Sequence, residues 1–173
     1  MSKKMDNERY HVVSALVENH PGVLARIAGL FSARGFNIDS LTVGITEDPT
    51  VSRMTIVVRG DDAILEQVTK QLDRLPVTIE VRDFVGQDFV DRELLLVKVG
   101  TTSKTRPEVL QMSEAFRAHI VDVSHQSLTL ELTGGLSKIK AFLDILRPFG
   151  IQEIARTGLV AMARGPLKKT GDS

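Results

Sequence analysis

An internal repeat constrains this chain most: the same order of apolar patterns, strand, helix, strand, strand, helix, strand, occurs twice in succession. In the first stretch, Tyr10 to Glu18 is rich in Val and Leu and runs into Asn19-His20-Pro21-Gly22, where Pro21 marks a place for a helix to begin. Val23, Ile27, Leu30 and Phe31 fall at helical spacing, and Gly35 is a C-cap signal. The next strand carries Phe36 and Ile38, then Leu41, Val43 and Ile45, a change of phase that predicts a bulge at Asp39-Ser40. Thr46 to Thr50 reads as a turn into a second hairpin arm, where Met54, Ile56 and Val58 alternate with neighbours expected to be polar. Asp61 or Asp62 caps a helix carrying Ile64, Leu65, Val68 and Leu72; Pro76 stops it before Val77, Ile79 and Val81 alternate again.

Asp83 to Asp91, with Gly86 and several acids, reads as a linker. Beyond it Leu94 to Val99 is a strand, and Pro107 opens a helix with Val109, Leu110 and Phe116. Ile120 to Val123 and Leu128 to Leu132 pair as strands, Ile139, Phe142, Leu143 and Leu146 mark a helix, and Ile151 to Met162 ends in a strand. The expected fold class is α+β, two tandem ferredoxin-like βαββαβ domains, residues 9–84 and 90–164, with a flexible tail at 165–173. Each helix is read as a crossover between parallel strands, which the right-handed rule resolves as a split-βαβ sheet; two helices cover one sheet face, and the second strand of each half lies at an edge.

Charge and composition narrow the function. Twenty-two Lys and Arg balance 22 Asp and Glu, which removes the attraction a general binder of nucleic acid or anionic membrane depends on. With one Tyr and no Trp, the strand Ser52 to Val58 also lacks the aromatic platforms of an RNA-recognition sheet. No cysteine is present, so thiolate metal sites and thiol nucleophiles are excluded. The four histidines, His11, His20, His119 and His125, lack ligand-pair spacing and read as exposed or capping residues; no metal site is assigned. Gly134-Gly135 lacks the Lys-Ser/Thr of a nucleotide loop, and no catalytic constellation is found. No apolar run is long enough to span a bilayer and Met1 to Arg9 is polar, so a cytoplasmic protein is expected.

The corner Glu18-Asn19-His20-Pro21-Gly22-Val23-Leu24 is the leading candidate site. Free N–H groups and the positive end of a helix dipole suit a carboxylate, worth about 0.3–1 kcal/mol when exposed and up to ~2 when partly buried. Gly22 has no side chain to block a ligand, and the Asn19 amide can meet a carboxylate or an ammonium. The same residues also read as turn chemistry, with Asn19 or His20 capping the helix. Asn37, polar between Phe36 and Ile38, is a second candidate for an amino acid's charged groups, and equally a turn residue.

Val17 to Ile27, Phe31 to Val43 and Ser52 to Ile56 together resemble the N-terminal ACT domain of the acetohydroxyacid (acetolactate) synthase small regulatory subunits. The resemblance continues at Arg92 to Val99 and Ala155 to Gly158, and so covers nearly the whole chain. It implies a non-catalytic subunit and a homodimer. Such a subunit activates the large catalytic subunit and confers feedback inhibition by a branched-chain amino acid, typically valine. Thiamine diphosphate, Mg²⁺ and FAD are expected on the catalytic partner and none of them on this chain. The resemblance further implies an effector held between two ACT domains, by Asn19, His20, Pro21, Gly22, Val23 and Leu24 of one chain and Asn37 with Ile38 of its partner. In the second half, Thr105 to Leu110 matches that corner in outline with Glu108 in the place of Gly22, so only the first half is expected to bind effector. Dimer support and contact with the catalytic subunit fall to the second half. A stand-alone amino-acid sensor is the competing reading.

Overall fold

The strands and helices follow the apolar periodicity closely. The computed structural model describes residues 9–165; the expected tail from Pro166 onward lies outside them. The chain divides into two units, one holding the described residues up to Val90 together with those from Ala161, the other Asp91–Val160.

In the first unit β1 (Arg9–Glu18), α1 (Val23–Arg34), β2 (Ile38–Ile45), β3 (Val51–Gly60), α2 (Asp62–Asp73) and β4 (Thr78–Asp83) form a sheet of order β2-β3-β1-β4. All three pairings are antiparallel. The strands joined by a helix are therefore parallel but not neighbours: β3 lies between β1 and β2, and β1 between β3 and β4. This is the split crossover of the expected ferredoxin-like sheet, with a further strand between the two that each helix joins. Strand β2 lies at an edge. Its pairing with β3 shifts between Ile38 and Ser40, the bulge that the phase change required.

Val13, Ala15, Val17, Ile27, Phe31, Met54, Ile56, Val58, Val68 and Leu72 make the core between sheet and helices. Asp61 caps α2 by accepting from the Ile64 N–H at 2.9 Å. Gly35 ends α1 in the left-handed region at φ 66°. Three expectations fail for identifiable reasons. The far face of β3 is not polar and open, since Thr55 and Val57 are buried; Arg53 donates across that face to the Ser14 hydroxyl, and the Arg59 guanidinium lies over the Tyr10 ring. Ile79 is exposed, because the β1–β4 register shifts between Leu16 and Val17. His11 is buried, with its Nε2 on the Gly60 carbonyl at 3.2 Å.

The second unit repeats the plan. Strand β5 (Phe89–Gly100), α3 (Arg106–Phe116), β6 (His119–Val123), β7 (Ser127–Gly134), α4 (Leu136–Leu146) and β8 (Ile151–Arg156) give the order β6-β7-β5-β8. A 3-10 turn, Arg147–Phe149, follows α4. The last expected strand is two, because Thr157 to Leu159 break it and β9 (Val160–Ala163) also pairs with β5. Leu95, Val97, Val99, Leu128, Leu130, Leu132, Ile139, Phe142 and Leu146 form this unit's core.

Candidate functional site

The corner after β1 is shaped by two constraints. Glu18 and Asn19 are fixed by backbone bonds to Val77 and Thr50, at 2.9 and 2.7 Å. The Asn19 amide nitrogen then donates to the Pro49 carbonyl at 2.8 Å, which ties the corner to the β2–β3 turn. That turn is itself pinned by Asp48, whose carboxylate accepts from the Thr50 N–H and hydroxyl and is held below its usual pKa by them. The helix then starts two residues after Pro21. Gly22 is its N-cap at φ 91°, a conformation that favours glycine, and a Cβ added there would meet nothing within 4 Å.

Neither Asn19 nor His20 caps α1; no side chain does. The Val23 N–H reaches the His20 carbonyl at 3.4 Å and the Arg26 N–H bonds the Gly22 carbonyl at 3.0 Å. Leu24 and Ala25, between them, precede the first intrahelical bond and point their N–H groups out of the helix start. The His20 ring has acceptors at both nitrogens, Glu18 Oε2 at 2.8 Å and the Pro21 carbonyl at 3.1 Å. Both contacts favour imidazolium, so the pKa of His20 is raised, first by the Pro21 carbonyl and then by Glu18. An exposed corner thus offers free N–H groups, an imidazole whose pKa is raised and the half-exposed Leu24 side chain.

Six of the eight expected residues meet here. Val23 meets the site only through its backbone, because its side chain is in the core. Asn37 and Ile38 lie elsewhere: the Asn37 carbonyl accepts from the Arg59 N–H beside the start of β1, at the far end of β2. Eight residues of extended strand separate them from the corner, roughly 25 Å. Pro49, which holds the corner, carried no signal in the sequence because its role depends on its carbonyl, whereas Glu18 was part of the expected corner without its contact to His20.

The corresponding corner of the second unit is closed. The Thr101 N–H bonds the Gln126 carbonyl at 2.8 Å. Arg106 Nη2 donates to the Ser124 and His125 carbonyls and to the Thr101 hydroxyl, filling the gap between helix start and hairpin turn. Glu108 does not stand where Gly22 stands. Thr105 is the N-cap and Pro107 is already inside the helix, whereas Pro21 precedes the cap, so matching the two prolines misplaced the register. Glu108 still places a negative charge in the first turn.

Among the described residues no group of three or more His, Cys, Asp or Glu is arranged to hold a metal ion, and no helix is long and apolar enough to cross a membrane. The element order and sheet topology define a protein of two tandem ferredoxin-like units. Residues 13–80 match the family of "AHAS small subunit-like ACT domain", and residues 92–165 match "Small subunit of acetolactate synthase". The chain is 56% identical over 156 residues to a probable acetolactate synthase small subunit of Methanothermobacter thermautotrophicus, covering 90% of this chain and 93% of that one. It is 54% identical to one of Archaeoglobus fulgidus, over 91% and 99% of the two chains. The crystal structure of the acetolactate synthase small subunit from Thermotoga maritima superposes with a TM-score of 0.81 at 43% identity, over 92% and 99% of the chains. The chain belongs to the acetolactate synthase small subunit family.

Proposed function

We propose that this chain is the non-catalytic regulatory subunit of acetolactate synthase, which binds and activates the large catalytic subunit and confers feedback inhibition by valine or a related branched-chain amino acid. The observation that carries the effector site is the uncapped start of α1 behind Gly22, where a Cβ would meet nothing within 4 Å. An effector α-carboxylate sits on that helix start and its ammonium meets Asn37 of a second protomer. A small branched side chain buries against Leu24 and Ile38 for roughly 1.5–3 kcal/mol. The 25 Å between the two half-sites within one protomer makes a homodimer part of the reading. A ligand shared between protomers favours one arrangement over another by a coupling of about 1–3 kcal/mol, so inhibition needs no chemistry from this chain. Thiamine diphosphate, Mg²⁺ and FAD are assigned to the catalytic subunit, and the second unit to dimer support and contact with that subunit.

Gly22→Asp tests the reading. The substituted carboxylate enters the effector's place without a clash, and Asp tolerates the left-handed conformation better than most residues. Reconstituted with the large subunit, the variant is expected to activate it fully and to lose valine inhibition; unchanged valine sensitivity would refute the placement. Failure to activate any thiamine-diphosphate enzyme, with amino-acid binding intact, would favour a stand-alone sensor.

A further inference from the structure

The two units diverge at one set of corresponding positions. In each, the helix after the first strand ends on a left-handed residue. Gly35 at φ 66° donates to Ser32 O, and Phe36 N to Phe31 O; Arg117 at φ 58° donates to Glu114 O, and Ala118 N to Ser113 O. In each, the third strand ends on a glycine that makes room for the third residue of the next helix. A Cβ on Gly60 would stand 2.6 Å from Ile64 Cδ1, and one on Gly134 would stand 2.6 Å from Lys138 Cδ. Arg117 therefore corresponds to Gly35, and Lys138 to Ile64.

In the first unit this region is packed with apolar groups. Phe31 and Phe36 meet edge to face with centroids 5.9 Å apart, and Ile64 packs on the core. In the second unit Ser113 and Ala118 replace the two rings, and an open cavity of about 310 Å³ lies against Ala115, Phe116, Arg117 and Lys138. Arg117 is the only non-glycine residue at positive φ among the described residues. A long side chain is kept where its repeat mate is the residue without strain. Among the described residues no carboxylate pairs with either cation: Lys138 Nζ donates to the Thr133 carbonyl, and Arg117 makes no side-chain bond to any of them. The start of α4 is already answered by Asp91, which accepts from the Leu136 N–H at 3.3 Å, so the unmatched positive charge belongs to the two side chains.

We infer that the cleft between the end of α3 and the start of α4 binds a phosphate group, with the Arg117 guanidinium and the Lys138 ammonium as its two cationic contacts. A guanidinium fork matches two phosphate oxygens, an ammonium neutralises the remaining charge, and Phe116 gives the cleft an apolar wall suited to the organic part of a phosphomonoester. The site lies within the second unit and does not depend on the effector reading of the first.

The test is a titration of the full chain, followed by nuclear magnetic resonance, with inorganic phosphate and with phenyl phosphate, each against chloride at matched ionic strength. Saturable shifts at Arg117 and Lys138 are expected with phosphate and not with chloride. Tighter binding of phenyl phosphate would assign a monoester, and equal or weaker binding free phosphate. Arg117→Gly and Lys138→Gln are each expected to weaken binding at least ~10-fold. Arg117→Gly should melt no lower than the parent, since glycine is unstrained at this φ, which separates lost binding from lost fold. Equal shifts with chloride, or either variant binding phosphate as the parent does, would overturn the proposal.

Discussion

The corner after β1 and the corner after β5 share a plan and differ in what closes them. Both follow a central strand, both lead into a core helix, and both are tied to the hairpin turn by a backbone bond, from Asn19 to Thr50 in one and from Thr101 to Gln126 in the other. In the first, the link between corner and turn is one neutral amide, and a glycine at φ 91° leaves the helix start bare. In the second, a guanidinium fills the same gap and accounts for three acceptors. One fold thus supplies either an open corner, which we propose receives the effector, or a strutted one.

The largest expected effect breaks the receptor. Gly22→Asp sets like charge against the effector carboxylate at a cost of about 2 kcal/mol or more, so valine affinity should fall at least ~30-fold by calorimetry while activation of the large subunit persists. Gly22→Ala separates charge from strain: it adds no clash and costs roughly 1–2 kcal/mol of stability through the positive φ, yet inhibition should remain. The strut responds in the opposite sense. Arg106→Ala leaves two turn carbonyls without their cation and should lower stability to denaturant by about 1.5–3 kcal/mol, with feedback inhibition unchanged.

The smallest effect is a pH dependence. His20 has a raised pKa when folded, so its contribution to stability is full below its ordinary value near 6.5 and is lost as pH rises through the raised value. His20→Gln should flatten that profile, which denaturant titrations across the pH range would read.

Much of this was legible in the chain because it is local. The phase change between Ile38 and Leu41 required a bulge, Asp61 lay where a cap belongs, and Gly35 followed the last periodic residue. Pro21 and Gly22 marked the start of α1 for the same reason. What stayed hidden depends on partners distant in sequence. Arg106 acts on carbonyls 18 and 19 residues away, and His11 is buried by its bond to Gly60, 49 residues on. Thr55 and Val57 are buried on a face of β3 where polar, exposed neighbours were expected, which the alternation alone did not show. The proline match between the corners misled because proline is accepted both before a cap and inside the first turn.

Titrating valine, leucine and isoleucine into the full chain by calorimetry tests the contrast between the corners most directly. The account predicts saturable heat with at least one of them at one ligand per chain, abolished by Gly22→Asp and retained in Arg106→Ala. Two ligands per chain, or binding that survives Gly22→Asp and is lost in Arg106→Ala, would contradict it.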